Sequence, residues 1–356
     1  MTPRRVAWLL AAGVAVIAFA IWLSSLRHLE RATLAGDVVL PGFEHELNTV
    51  TEVRLRKGDG THTTLAKGGS TWSVAERDWP AQMSRVRKLL LDLGALNVVE
   101  EKTRVPANYP ALGVEDVTSP KATGTEVSII APGHSWVLII GKPAGAKSGY
   151  VRVGNAPQSL LAAPLLSVDA APRTWLDNAL LDLPAERVRE IEEHPLEGAA
   201  FTAVRQKKED AHFNVVPVPR GRELSSAGAA DTLGAALSGL TLDDVAKATA
   251  SDAKSAHAIF RTFDGLEIEA VGRKDGTRAL LVLKARASAG GAPAEEAQKI
   301  NARCAGWEFE IPDYKYAAIF TPLTDLLKPL PQPVKKPAKP GKPGKDAKPP
   351  PPPPAP

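Results

Sequence analysis

TWSVAERDWPAQMSRVRKLLLDLGALNVVEEK, residues 71–102, carries a strand, a helix and a second strand in immediate succession. Trp72 and Val74 alternate with polar neighbours, the mark of a half-buried strand. Val86, Leu89, Leu90 and Leu93 then recur at i, i+3, i+4 and i+7. That spacing predicts one helix with a single apolar stripe, opened by Pro80 and stopped by Gly94. The chain returns to a strand pattern at Asn97–Lys102. Strands and a helix that each carry one apolar face must bury those faces against one another, so the unit is a sheet packed on a helix.

Upstream, VTEVRLRKGDG (50–60) alternates Val53 and Leu55 with Arg54 and Arg56 and ends in a Gly-Asp-Gly turn. A second strand follows at Thr61–Leu65. Downstream of the loop PANYPALGVED (106–116) come EVSIIA (126–131) and SWVLIIG (135–141), joined by Pro132-Gly133, and then GYVRVG (149–154). An apolar segment at Leu160–Leu166 and the stretch RTWLDNALLDLP (173–184) close the unit.

The same order returns further along the chain. ERVREIEEHP (186–195) parallels the first strand, and AHFNVV (211–216) parallels TWSVA with Phe213 in the place of Trp72. A stripe of Leu233, Ala236, Leu237 and Leu240 has helical spacing. Strands are expected at 257–263, 266–272 and 278–285, and GWEFEIPDYKYAAIFTPLTDLLK (306–328) parallels the segment that begins at GYVRVG. The expected architecture is α+β: two similar units, 40–184 and 185–328, each of antiparallel strands packed on a helix.

Two flanking segments differ from this body. Val6–Leu26 runs 21 residues without a charge, behind Arg4 and Arg5. At 1.5 Å per residue it covers roughly 30 Å, the thickness of a bilayer's hydrocarbon core. Trp8 and Trp22 near its ends suit the membrane interfaces. A cleaved signal peptide fits less well, because the small-x-small triplet Ala18-Phe19-Ala20 is followed by Ile21-Trp22-Leu23. The expectation is a transmembrane anchor at 6–26, with residues 1–5 cytoplasmic, a stem at 27–39 and the body periplasmic. At the other end, 329–356 is rich in proline and lysine without apolar periodicity, which predicts a disordered tail. Lys335, Lys336, Lys339, Lys342, Lys345 and Lys348 against Asp346 give this tail +5 of the chain's formal +4, leaving the remainder at −1. The basic balance is therefore local and points to no nucleic acid partner. The chain holds one cysteine, Cys304, so no disulfide framework is available and the fold rests on its apolar core.

Candidate chemistry is sparse. GKPAGAKSG (141–149) places Gly141, Lys147 and Ser148 like a phosphate-cradling loop, but Ala146 stands where the second glycine is needed and a strand follows instead of a helix. The seven histidines show no ligand spacing. In Glu192-Glu193-His194, strand alternation puts Glu192 and His194 on one face and Glu193 on the other. Gly133-His134-Ser135 lacks the closing glycine of a nucleophile elbow, and Asp243, Asp244 and Asp252 lack calcium-loop order. No catalytic residue, cofactor or metal site is expected. Trp72, Trp136, Trp175 and Trp307 read as core, whereas Trp79 and Tyr109, each before a proline in a loop, read as exposed aromatics marking a partner surface together with the tail lysines.

The first half resembles a bacterial family known as domain of unknown function 4340. The resemblance is carried by LPGFEHELNTVTEVRLRKG (40–58), WSVAERDWPAQMSRVRKLLLDLGALNVVEEKT (72–103), YPALGVED (109–116), IIGK (139–142), YVRV (150–153) and TWLDNALLDLP (174–184). It implies a membrane- or lipid-anchored envelope protein whose gene neighbours are ABC-type transport components of the gliding-motility or auxiliary type. It carries no catalytic residues onto this chain, and the tail lies outside its pattern. The functional expectation is a non-enzymatic, inner-membrane, periplasm-facing accessory or scaffold of an envelope complex, with the bilayer and ABC-type transporter subunits as partners. The alternative is a module that binds anionic envelope polymer, peptidoglycan or polysaccharide, through the tail. An envelope hydrolase ranks behind both.

Overall fold

The computed structural model describes residues 36–249, 254–288 and 290–329. The segment 6–26 with Arg4, Arg5, Trp8 and Trp22 lies outside the described residues, as do Lys335, Lys336, Lys339, Lys342 and Lys345. Among the described residues no helix is long and apolar enough to cross a membrane.

Antiparallel sheets dominate a mixed α/β chain with few helices. The first sheet contains β1 (Glu52–Lys57), β2 (His62–Gly68), β3 (Thr71–Val74), β4 (Trp79–Pro80), β5 (Asn97–Glu101), β6 (Thr125–Ala131), β7 (His134–Pro143), β8 (Gly149–Val153) and β9 (Ser159–Ala163), in the order β4-β3-β2-β1-β6-β7-β8-β9-β5. After β10 (Ala179–Leu181), the second sheet contains β11 (Val188–His194), β12 (Phe201–Val204) and β13 (Asn214–Val216). Following β14 (Leu240–Thr241), it adds β15 (Asp244–Lys247), β16 (Ala256–Thr262), β17 (Leu266–Asp275), β18 (Arg278–Ala287) and β19 (Trp307–Ile311). Its order is β13-β12-β11-β16-β17-β18-β19-β15. Leaving aside the two-residue β4, each strand of one sheet has a counterpart at the same place in the other. Register agrees at the centre: Val53 lies opposite Leu65 and Ile129, and Ile191 opposite Ala203 and Phe260. β10 and β14 form a small ladder of their own.

Alternation explains the strands. Val53 and Leu55 are buried while Arg54 and Arg56 are exposed, and Ala256, Ala258 and Phe260 are buried between half-buried neighbours. Helix α1 (Met83–Gly94) buries Val86, Leu89, Leu90 and Leu93, the predicted stripe, and ends on Gly94. It does not open at Pro80. Pro80 sits in β4 at the sheet edge, where a residue without an N–H costs no ladder bond, and the helix begins after Gln82.

The second sheet departs further from expectation. Leu233, Ala236, Leu237 and Leu240 are all buried, yet only Asp231–Gly234 is helical and Leu240 already belongs to β14. Gly234 lies so close to the Phe213 ring that a Cβ there would stand 2.8 Å from Cε2. The principal helix of this half is instead α2 (Ala292–Cys304), lying on β17 and β18. Its buried residues are Ala297 and Cys304, too small to print an apolar stripe on the sequence. Asn301 clamps it to the sheet, donating Nδ2–H to the Ala285 carbonyl at 2.7 Å and accepting the Ala285 amide at 2.8 Å. Because α2 intervenes before β19, Trp307–Ile311 takes the place of β9, not that of GYVRVG in β8.

Buried side chains from Val39 to Leu327 form one continuous apolar cluster that runs through both halves. A satellite of Tyr109, Val114 and Ile139 sits apart from it. The chain from α3 (Asp313–Ile319) onward folds back over the second sheet, where Phe320 lies against Gly272; a Cβ at that glycine would stand 2.1 Å from the ring.

Candidate functional site

A cleft of about 620 Å³ opens where the turn between β3 and β4 meets the β15 and β19 edge of the second sheet. The turn Ala75–Asp78 presents three charged residues in succession, and Asp78 has φ 50°. Aspartate is among the few residues other than glycine that adopt this left-handed conformation readily. The bend lets Trp79 enter the core while Arg77 reaches the other sheet. Arg77 holds Asp244 in a two-pronged bond, Nε to Oδ1 at 2.7 Å and Nη2 to Oδ2 at 2.9 Å. Burial opposes ionisation of Asp244, but the bonds from Arg77 and from the Val245 amide outweigh it and hold the carboxyl below its ordinary range.

Beside this pair, Lys247 Nζ donates to Asp78 at 2.9 Å and stands 3.5 Å from the centroid of the Trp307 ring. Arg273 forks onto Glu308 at 2.8 and 2.7 Å, a bond that raises the guanidinium's pKa. Arg278 bonds Asp275. Each of the four cations lining the cleft thus has a carboxylate partner. Behind them, Trp79 meets Trp307 and Phe309 edge-on at 5.3 and 5.5 Å, and its indole N–H donates to the Asp177 carbonyl at 2.9 Å. Arg303 covers the Trp79 ring at 5.1 Å and bonds Asp177 at 3.0 Å. The cleft is a seam: residues from one sheet are joined to residues of the other by paired charges over an aromatic contact. Mutually neutralised groups of this kind hold surfaces together.

Trp79 and Tyr109 are not on the surface. Trp79 is buried in the seam, and Tyr109 is buried under its loop with its hydroxyl donating to the Pro157 carbonyl at 2.6 Å and Arg152 over its ring. Both loops look polar and proline-rich in sequence, but each aromatic finds a carbonyl for its polar atom and an arginine for its face, which makes burial favourable. Neither presents a partner surface. Loop 141–149 is a hairpin connection closed by the Ala144 amide on the Ser148 carbonyl at 2.9 Å. Glu192 and His194 share a face at 3.0 Å, as alternation requires. Among the described residues no group of three or more His, Cys, Asp or Glu could hold a metal ion.

Glu193 is the residue that motif reading passed over. Its side chain is fully buried on the inward face of β11 and neither carboxylate oxygen has a hydrogen-bond partner. Burial pushes its pKa up to about 9, so it stands in the core as a neutral acid at pH 7. The signal was present in the alternation: an acidic residue two after Ile191, where the paralleled strand has Leu55 two after Val53. Cys304 is likewise buried, and burial raises its thiol to about 11.

The model of the family described as Domain of unknown function (DUF4340) matches residues 72–259, from β3 of the first sheet into β16 of the second. No curated protein and no solved structure matches the chain.

Proposed function

The chain belongs to the DUF4340 family over more than half of its 356 residues, and from that premise we propose that it is a non-enzymatic, membrane-tethered scaffold of an envelope complex, an accessory to an ABC-type transport system. In this reading Val6–Leu26 is a single-pass anchor with Arg4 and Arg5 on the cytoplasmic side and the body in the periplasm. The observation that carries the scaffold reading is the seam. Its four cations are spent on carboxylates, and two of the pairs, Arg77–Asp244 and Lys247–Asp78, join two sheets that already share one apolar cluster. The two sheets are read as copies of one unit, 40–184 and 185–328. The matching strand order and the shared register at Val53 and Ile191 support that.

Affinity purification of the full chain from gently solubilised membranes tests the partner. Transporter subunits are expected in the eluate, and their absence overturns the transport assignment. Reporter fusions at residue 40 and at the C-terminus test the topology, because a cytoplasmic signal from either reverses the orientation.

A further inference from the structure

The chain enters the described structure at Gly36, and its path there is set by backbone bonds. The Val39 amide donates to the Leu96 carbonyl at 2.8 Å, Val38 bridges Asn97, and the Gly36 amide donates to the Val98 carbonyl at 2.9 Å. Followed toward the N-terminus, the segment runs antiparallel along the free edge of β5, from Leu96 to Val98. That direction leads past Glu101 to the loop Arg104–Ala111.

Exposed apolar side chains occur at this end of the first sheet, among the charged residues Glu100, Glu101, Lys102 and Arg104. Val99 is 45% and Val105 54% exposed, and Pro106, Ala107, Pro110 and Ala111 are exposed beside them. The loop is nevertheless held firmly from beneath. Tyr109 is buried and bonded to Pro157, and Lys142 Nζ donates to the carbonyls of Pro110 and Ala111 at 3.0 and 3.2 Å. Arg152 sits under the Tyr109 ring with its guanidinium bonded to the Val114 carbonyl at 2.8 Å and to Asp116 at 2.7 Å. A loop fixed from below presents its apolar tip without an ordering cost on contact. Arg104, exposed beside the tip, bonds Gln158 and lies 3.7 Å from Glu101, and Lys142 is held by the two loop carbonyls, so the contact rests on the apolar side chains and not on headgroup charge.

We propose that Val99 and the Arg104–Ala111 loop form a membrane-contact surface that seats the body on the bilayer carrying its own N-terminal anchor. The inference rests on the anchor reading and adds an orientation to it. Nine residues, 27–35, separate the apolar stretch from Gly36, and even fully extended they let the two ends part by at most about 36 Å. The β5 edge is therefore confined near the bilayer, and the apolar loop lies in the direction from which the chain arrives. Shallow insertion of valine and proline side chains at the headgroup boundary is what a patch of this size and composition suits.

The full chain reconstituted into phosphatidylcholine–phosphatidylglycerol vesicles tests it. Val105→Cys and, as control in the second sheet, the exposed Val216→Cys are each labelled with an environment-sensitive fluorophore; the native Cys304 is buried and escapes labelling. Expected are a blue-shifted emission at position 105 and several-fold stronger quenching there than at 216 when brominated lipids are included. Flotation of the same samples separates the two readings. Protein that floats while label 105 reports water, like label 216, overturns the contact surface and leaves the anchor standing. Protein that does not float overturns both.

Discussion

Leu55 and Glu193 occupy the same place in two sheets of the same strand order. Each lies two residues after the central apolar residue of its strand, each faces inward, and each is fully buried. Leu55 lies opposite Thr63 and Val127, and Glu193 lies opposite Phe201 and Ala258. In the first sheet the slot is filled by a side chain whose burial contributes roughly 2–3 kcal/mol. In the second it holds an acid without a hydrogen-bond partner, which folding keeps neutral against its tendency to ionise. One architecture thus tolerates opposite chemistries at one slot, because the surrounding core supplies enough apolar contact to carry the cost. The second sheet is the one whose stability should respond to pH.

The largest effect is expected from carrying the acid across. Leu55→Glu removes a buried leucine and buries a second carboxyl, so it should cost about 4–5 kcal/mol, or prevent folding at neutral pH. Thermal unfolding of the detergent-solubilised chain reads this, and a near-native midpoint at pH 8 would break the equivalence of the two slots. The reverse exchange, Glu193→Leu, should stabilise the protein at pH 8 by about 5 kcal/mol.

It should also remove a pH slope whose sign is fixed. The unfolded carboxyl ionises near 4.5, whereas the folded one keeps its proton up to about 9. Between those values the unfolded state has lost a proton that the folded state retains. Stability therefore falls as pH rises, by up to about 1.4 kcal/mol per pH unit, and levels off above about 9. A slope that survives Glu193→Leu unchanged must come from another group.

The seam offers a smaller effect of opposite sign. Arg77→Ala leaves Asp244 partly buried without its fork and should cost about 1–2 kcal/mol. Asp244 is held below its unfolded value of 3.8, so the stability it contributes is present above that pH and drains away as pH falls below it. The variant should lose that acid-side dependence, and denaturant melts at pH 3 and pH 6 would show wild type and variant converging at the lower value. Smallest of all, Val216→Thr on the exposed β13 edge should change stability by no more than about 0.5 kcal/mol, which calibrates the other three.

What could be read along the chain and what could not divide by distance. The α1 stripe from Val86 to Leu93, the alternation in β1 and β16, the hairpin character of 141–149 and the shared face of Glu192 and His194 all depend on residues within one or two turns or a few strand positions. Helix α2 escaped because its buried side chains are alanine and cysteine, which carry no periodic contrast. The burial of Trp79 and Tyr109 escaped because their partners, Trp307 and Arg152, are remote in sequence.

Neighbouring residues alone settle the α1 stripe, the alternation of β1 and β16 and the inward slot that Glu193 fills, since periodicity is a local property. Tertiary structure alone decided which edges meet. Arg77 and Asp244 are 167 positions apart, and nothing in either neighbourhood specifies the other until two sheets, each with an apolar face to bury, close on a common core and bring the turn of one against the edge strand of the other.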